Sequence, residues 1–383
     1  MAGKIIQWIK KEPMLLLSVS AALIGLIITP PARALFLEID WRTLGTLLMM
    51  LCVLEGFKQE QVLQPVVGLA SRLRRMTSLT LFLVFGVFFS SMFVTNDVSL
   101  LIFVPLTILI FRIAKKEHYI LPVISMENIA AVRGSLLTPF GSPQNLFLYG
   151  RAGISTGRFM LHMLPLCVMS GILLAGFVFF LYRKDLKETA ALSGTSVQEN
   201  AAEGSKQKRI MYLALFSVIL LVIVTRTRWW WGAMILVLGT ILLSDRKLFR
   251  KVDYVLLATF LCFFVFSSSI AGNSGIAAFL KRSVAGREYW WAIGLSQLIS
   301  NVPASIVLYP FTENFAGLIY GADTAGLCSL IGSLASVINY RIYVREYPEN
   351  GRQFIKTFTL VSWAFFLIVV IPGLLLSGWN FFE

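Results

Sequence analysis

From "TLFLVFGVFF" at 80–89 to "FLIVVIPGLLL" at 366–376, apolar runs recur along the whole chain, and such runs have few places to go. A helix of about 20 predominantly apolar residues spans the hydrocarbon core of a bilayer, and winding it as a helix satisfies its backbone groups within the segment. Charged residues make up only 14% of the sequence and hydrophobic ones 57%, with a mean hydropathy of +0.76. A soluble domain carries about 25% charged residues. The chain therefore reads as one integral membrane domain, all-α and polytopic, with no room for a separate soluble one.

Candidate membrane segments fall near 14–30, 43–57, 77–94, 98–113, 118–138, 159–182, 210–224, 229–244, 253–271, 288–299, 303–318, 319–338 and 355–377, and several are too short to cross alone. The run at 14–30 follows Lys4, Lys10 and Lys11 and precedes "ARA" at 32–34; it reads as a retained first helix, with a cleaved signal as the alternative. The polar stretch 183–209 reads as a flexible cytoplasmic linker. It divides the chain into a first half, 1–182, and a second, 210–383.

A net charge of +14 raises the question of nucleic acid, but the basic residues stand in short clusters between apolar runs, as topology signals do. Membrane lipid, not nucleic acid, is the contact this pattern implies; a homodimer is left open. Arg72, Arg74 and Arg75 precede one apolar segment and Arg112, Lys115 and Lys116 follow the next, so both ends of that pair are cytoplasmic. "TND" at 95–97 is then the tip of a hairpin. Threading the rest with a cytoplasmic N-terminus puts most basic residues inside and makes 288–299 and 303–318 a second hairpin that opens outward. Lys281, Arg282 and Arg287 are exceptions.

The second tip, "SNVPASIVLYPF" at 300–311, lies in step with "TNDVSLLIFVPL" at 95–106: a hydroxyl residue precedes Asn301 as Thr95 precedes Asn96, and Pro310 and Pro105 follow at equal spacing. Helix caps alone produce such likeness. A second pair of landmarks adds weight. After each hairpin an apolar helix is interrupted, at 139–145 by "PFGSPQN" and, more weakly because no proline enforces it, at 332–339 by Gly332, Ser333, Ser336 and Asn339. The expected fold is two inverted-topology repeats, each with a polar-tipped re-entrant hairpin and a discontinuous transmembrane helix. Secondary transporters build midplane sites from such parts, and Asn96, Asn145, Asn301 and Asn339 would serve one.

At these residues the sequence resembles the ion transporter superfamily, which takes in divalent anion/sodium symporters, citrate permeases, arsenite permeases and sodium/proton antiporters. The resemblance covers nearly the whole chain, and "GSPQN" at 141–145 matches the family's Gly-Ser/Thr-Pro-x-Asn break. It implies a cation site at Thr95, Asn96, Gly141, Ser142 and Asn145, an outer counterpart at Ser300, Asn301, Gly332 and Ser333, and sodium held by Asn96, Asn145 and Asn301. Asp97 and Val302 stand where the dicarboxylate branch has threonine, which removes both hydroxyls expected to hold substrate carboxylates. An Asn-Asp tip is similar to the arsenite-permease side.

An isolated carboxylate at the depth of Asp97 costs roughly 2.5–3.5 kcal/mol, so it is expected to be protonated, paired or cation-bound unless it merely caps the returning helix. Arg133 is expected to pair with Glu127 or Asp97, or to attract an anionic substrate. Of the two histidines, His118 lies in the charged loop "AKKEHY" and His162 near the outer end of a helix, neither set with a partner for acid-base or nucleophilic work, and no nucleotide-binding glycine motif is present, so an enzyme is disfavoured. The expectation is a secondary active transporter of a small inorganic or organic anion in the cytoplasmic membrane, with sodium or a proton as coupling ion and no other cofactor. Arsenite or antimonite efflux and sodium/proton exchange are the alternatives.

Overall fold

The computed structural model describes residues 13–29, 39–62, 73, 75–184 and 205–378. Lys4, Lys10, Lys11, the "ARA" at 32–34, Arg72, Arg74 and residues 185–204 of the linker lie outside the described residues. Among the described residues the first half contains α1 (Pro13–Ile28), α2 (Trp41–Gln59), α3 (Met76–Val94), α4 (Asn96–Ile113), α5 (Ile120–Gly134), α6 (Pro143–Ala152) and α7 (Thr156–Leu181). The second contains α8 (Lys206–Thr225), α9 (Trp230–Ser244), α10 (Tyr254–Ala271), α11 (Ser274–Val284), α12 (Glu288–Ile299), α13 (Asn301–Leu308), α14 (Phe315–Ala325), α15 (Leu334–Glu346) and α16 (Gly351–Ser377). Seven stretches among the described residues, including α3, α4, α7, α8, α10 and α16, are long and apolar enough to cross a membrane.

The helices start where short polar side chains accept from free backbone donors. Asp40 caps α2 through the Thr43 N–H (3.0 Å), Asp253 caps α10 through Leu256 (3.0 Å) and Asn314 caps α14 through Gly317 (2.9 Å). Outward faces of α7, α8 and α16 expose Leu161, Ile172, Leu221, Leu360 and Leu375, as lipid contact requires. The inward helices are different. Every residue of α13 and of α14 after its first is buried.

Equivalent helices pack in equivalent ways. α3 lies against α5 as α12 lies against α14; α6 packs on α13, and α15 packs on α4. Each short helix that follows a break thus docks on the return arm of the other half's hairpin. Close approach is made possible by glycine: a carbon added at Gly134 would collide with the Phe88 carbonyl of α3, and one at Gly321 with the Tyr289 carbonyl of α12.

The structure differs from the sequence reading in the second half. The arm expected at 303–318 is two pieces: α13 ends at Leu308 and a single 3₁₀ turn, Tyr309–Phe311, separates it from α14. Pro310 cannot donate its missing N–H, and Asn314 starts the next helix, so the arm stops there. Helix α11 was not expected, because its eleven residues include Lys281 and Arg282 and form no apolar run. It holds both charges on an exposed side.

Gly321→Ala should lower stability by about 1–3 kcal/mol through overpacking, whereas Gly239→Ala, with nothing within 4 Å of the added carbon, should be neutral or slightly stabilising. Thermal unfolding of the two variants in detergent checks the contrast.

Candidate ion and anion site

The two tips share one backbone conformation. Thr95, between α3 and α4, has φ 73° and ψ 155°, and Ser300, between α12 and α13, has φ 69° and ψ 159°. That region is essentially reserved for glycine, and holding a side-chain-bearing residue there costs of order 1–3 kcal/mol, so surrounding contacts must impose it. The contact is visible in both cases. The Asn96 N–H donates to the Gly141 carbonyl (3.3 Å), and the Asn301 N–H donates to the Gly332 carbonyl (3.2 Å).

The partners of those bonds are the unwound segments. α5 runs through a 3₁₀ turn at Ser135–Leu137 and stops before Pro143, where Ser142 is the extended residue that opens α6. α14 stops at Ala325 and α15 resumes at Leu334, with Ser333 in the equivalent extended conformation. At Gly141 an added carbon would strike the Ser135 carbonyl, and at Gly332 the Ala325 carbonyl. Only glycine lets the chain double back so tightly. Carbonyls freed by the breaks find side-chain donors: Asn145 Nδ2 donates to Ser135 O (3.3 Å), Gln297 Nε2 to Ala325 O (3.2 Å) and Trp363 Nε1 to Cys328 O (2.8 Å).

Polar atoms without partners collect at the same places. Ser142 Oγ, Asn145 Oδ1 and Asn301 Nδ2 are buried and make no hydrogen bond. Ser142, Asn145 and Asn301 are 1%, 0% and 2% exposed. A buried polar atom left unpaired costs about 1–3 kcal/mol, so three in one region point to groups kept for a ligand.

Between the two breaks lies a charged cluster. Arg133, at the end of α5, and Asp323, near the end of α14, are both fully buried. Arg133 Nη2 reaches Thr324 Oγ1 at 3.4 Å, while its Nε and Nη1 have no partner. Asp323 Oδ1 accepts from Gln144 Nε2 (2.9 Å), in the first turn of α6, and Oδ2 has no partner. The contact to Thr324 sets Arg133 beside the residue that follows Asp323. Gln144 and Asp323 therefore tie the first break to the second half.

Several residues stand elsewhere than the sequence implied. Arg133 pairs with neither Glu127 nor Asp97. Glu127, also fully buried, accepts from Thr107 Oγ1 of α4 (2.5 Å), because its position on α5 turns it toward that helix. Asp97 is half-buried, its own N–H bonds to Asn96 Oδ1 (2.9 Å), and its Oδ1 has no partner. The second break spans 326–333, so Asn339 falls inside α15 and donates to Ile124 O of α5 (2.7 Å). Ser336, three residues after Ser333 as Asn145 is after Ser142, is the positional counterpart, and it accepts from Asn128 Nδ2 (3.1 Å). Sequence reasoning missed Asp323. The signal was available, since "YGADTAG" sets one carboxylate in an apolar segment, as "TND" does.

The chain is a multi-pass helical bundle with buried, unsatisfied polar groups where its helices stop, and its family is one of membrane transporters. The chain belongs to the citrate transporter family, which matches residues 4–332. It is 29% identical over 354 residues to "Inner membrane protein YbiR" of Escherichia coli, covering 88% of this chain and 89% of that protein. It is 27% identical over 359 residues to "Uncharacterized transporter MJ0456" of Methanocaldococcus jannaschii, covering 94% and 95%. A "46 kDa membrane protein" of Mycobacterium leprae is 26% identical over 151 residues, or 38% of this chain and 34% of that one.

Since the tip bond uses the main chain and Asn301 Nδ2 is unpartnered, Asn301→Ala should change stability by no more than about 1 kcal/mol while weakening ligand-induced stabilisation. Gly332→Ala should lower stability itself by about 1–3 kcal/mol. Thermal unfolding with and without ligand separates the two outcomes.

Proposed function

We propose that the chain is a secondary active transporter that moves a small inorganic or organic anion across the cytoplasmic membrane, coupled to sodium or protons. The observation that carries this reading is Arg133, an arginine with no solvent exposure, one long hydrogen bond and two nitrogens that have no partner. An unpaired charge inside a membrane protein is costly and marks a substrate or ion pathway. A guanidinium offers only donors, so the ligand it awaits is an acceptor, and an anion above all.

The coupling cation is supported by the other set of atoms. Asn145 Oδ1, Ser142 Oγ and Asp323 Oδ2 are buried oxygens without donors, the chemistry that a sodium ion or a proton would complete. The residues around the tips, Thr95, Asn96, Ser300 and Asn301, would close the same region through the main-chain bonds to Gly141 and Gly332.

The mechanism that fits is alternating access. In this reading the halves are inverted repeats with the N-terminus in the cytoplasm, and the matching tips, matching breaks and reciprocal docking of α6 on α13 and α15 on α4 support it. Movement of one half against the other would carry α6 with Gln144 away from Asp323, exposing the cluster to one side at a time.

The test is thermal stability of the detergent-purified protein against citrate, succinate, sulfate, phosphate and arsenite, each with and without sodium and at several pH values, followed by flux of the stabilising ion into proteoliposomes. An anion at 100 times its Kd should stabilise the folded chain by about 2.7 kcal/mol, and Arg133→Gln should remove that gain. A response to arsenite alone, unaffected by Arg133→Gln, would overturn the anion reading.

A further inference from the structure

A second concentration of positive charge lies away from the buried cluster. Where α6 ends, a cavity of about 360 Å³ opens between the start of α2, the end of α6 and the end of α8, with Trp41, Trp230 and Tyr149 among its walls. Three arginines line it: Arg42 from α2, Arg151 from the last turn of α6, and Arg226, which caps α8 with φ 51°. Among the described residues one carboxylate, Asp40, lines it too.

The carboxylate is already engaged. Asp40 accepts from the Thr43 N–H (3.0 Å) and Oγ1 (2.9 Å) and forms an ion pair with Arg151 Nε (3.2 Å). Arg42 and Arg226 also line the cavity, and among the described residues neither has an ion-pair partner within 4 Å. Each is held by one helix-terminal carbonyl: Arg42 Nη2 donates to Val222 O (3.4 Å) and Arg226 Nη2 to Tyr149 O (2.5 Å), with the Arg226 guanidinium 4.2 Å above the Tyr149 ring. Arg226 Nε is buried and has no partner. Two arginines on the wall of one cavity, one of them over an aromatic ring and with a buried donor left over, form a site that an anion would complete.

We propose that this cavity is a second anion site, separate from the buried Arg133 cluster, which binds an oxyanion through Arg42 and Arg226. On α6 Arg151 lies nine residues beyond Ser142 and six beyond Asn145, about 14 Å and 9 Å along the helix. The cavity's use as a vestibule that collects the transported anion rests on the anion-transport reading; its capacity to bind an oxyanion does not. A carboxylate or sulfate from solution and the phosphate of an anionic lipid offer the same chemistry, and the experiment separates them.

The full chain is purified without anionic lipid, and binding of sulfate, citrate and phosphatidylglycerol is measured by calorimetry and by native mass spectrometry. The measurement is repeated on Arg133→Gln, which silences the buried guanidinium, and on that variant combined with Arg42→Gln or with Arg226→Gln. The expected result is a site that survives Arg133→Gln and is weakened about tenfold by either further change, as loss of one charge-assisted contact predicts. Arg226→Lys, which keeps the charge, should lose less. Weakening seen with sulfate or citrate identifies a solute vestibule, and weakening seen with phosphatidylglycerol alone identifies a lipid site. If none of the three probes depends on Arg42 and Arg226, the proposal is overturned. Absence of anion flux with this binding intact would instead remove the transport reading and leave the site standing.

Discussion

The hydrogen bond from the tip of each hairpin to the glycine carbonyl of each broken helix is the contact on which the rest of the structure depends. A helix interrupted inside an apolar region frees carbonyls and N–H groups that neither lipid nor water satisfies, and each orphan is costly. Here the tip supplies the missing partner: Asn96 N–H for Gly141 and Asn301 N–H for Gly332. The bond has a second effect. It holds Thr95 and Ser300 in a backbone region they would otherwise avoid, so tip and break are each strained or unsatisfied without the other.

From that pairing the location of the functional groups follows. Because the breaks leave short helices instead of full spans, α6 and α15 can turn inward and dock on the opposite half's return arm. Their first turns then bring Gln144 to Asp323 and Ser336 to Asn128, side chains that belong to different halves of the sequence. The buried charges Arg133 and Asp323 sit at the ends of α5 and α14, beside the two breaks, where side chains and main-chain dipoles from both halves can reach them. A fully helical bundle would have no such place, since its backbone groups would all be spent on one another.

Much of this was legible in the residues. Pro139, Gly141, Ser142 and Pro143 crowd two prolines, a glycine and a polar residue into five positions, more than a membrane helix absorbs, so "GSPQN" announced the first break. Thr-Asn and Ser-Asn within apolar runs announced the tips, and observed α3 and α4 follow the expected arms closely. The second break was less legible because no proline enforces it, and the tertiary bond from Asn301 to Gly332 decides it instead. Asn339 had the right residue type one turn too late along its helix, and the periodicity that turns it toward Ile124 cannot be read before the helix start is known. Asp323 was hidden by the opposite difficulty: a carboxylate in an apolar segment is visible, but its partner Gln144 is 179 residues away in sequence.

The sequence by itself determined that the chain is helical and membrane-embedded, how its apolar runs divide, and where two polar interruptions fall, because hydrophobicity and the conformational limits of glycine and proline act locally. Only the tertiary structure decided which interruption supports which tip, that Arg133 reaches Thr324 and not Glu127 or Asp97, and that Arg42 and Arg226 line one cavity. Those outcomes depend on the angular position of each residue around its helix and on which helices become neighbours. In an apolar medium the neighbours are set by how closely small residues such as Gly134 and Gly321 let backbones approach, and by the demand that every buried polar group find a partner somewhere in the fold.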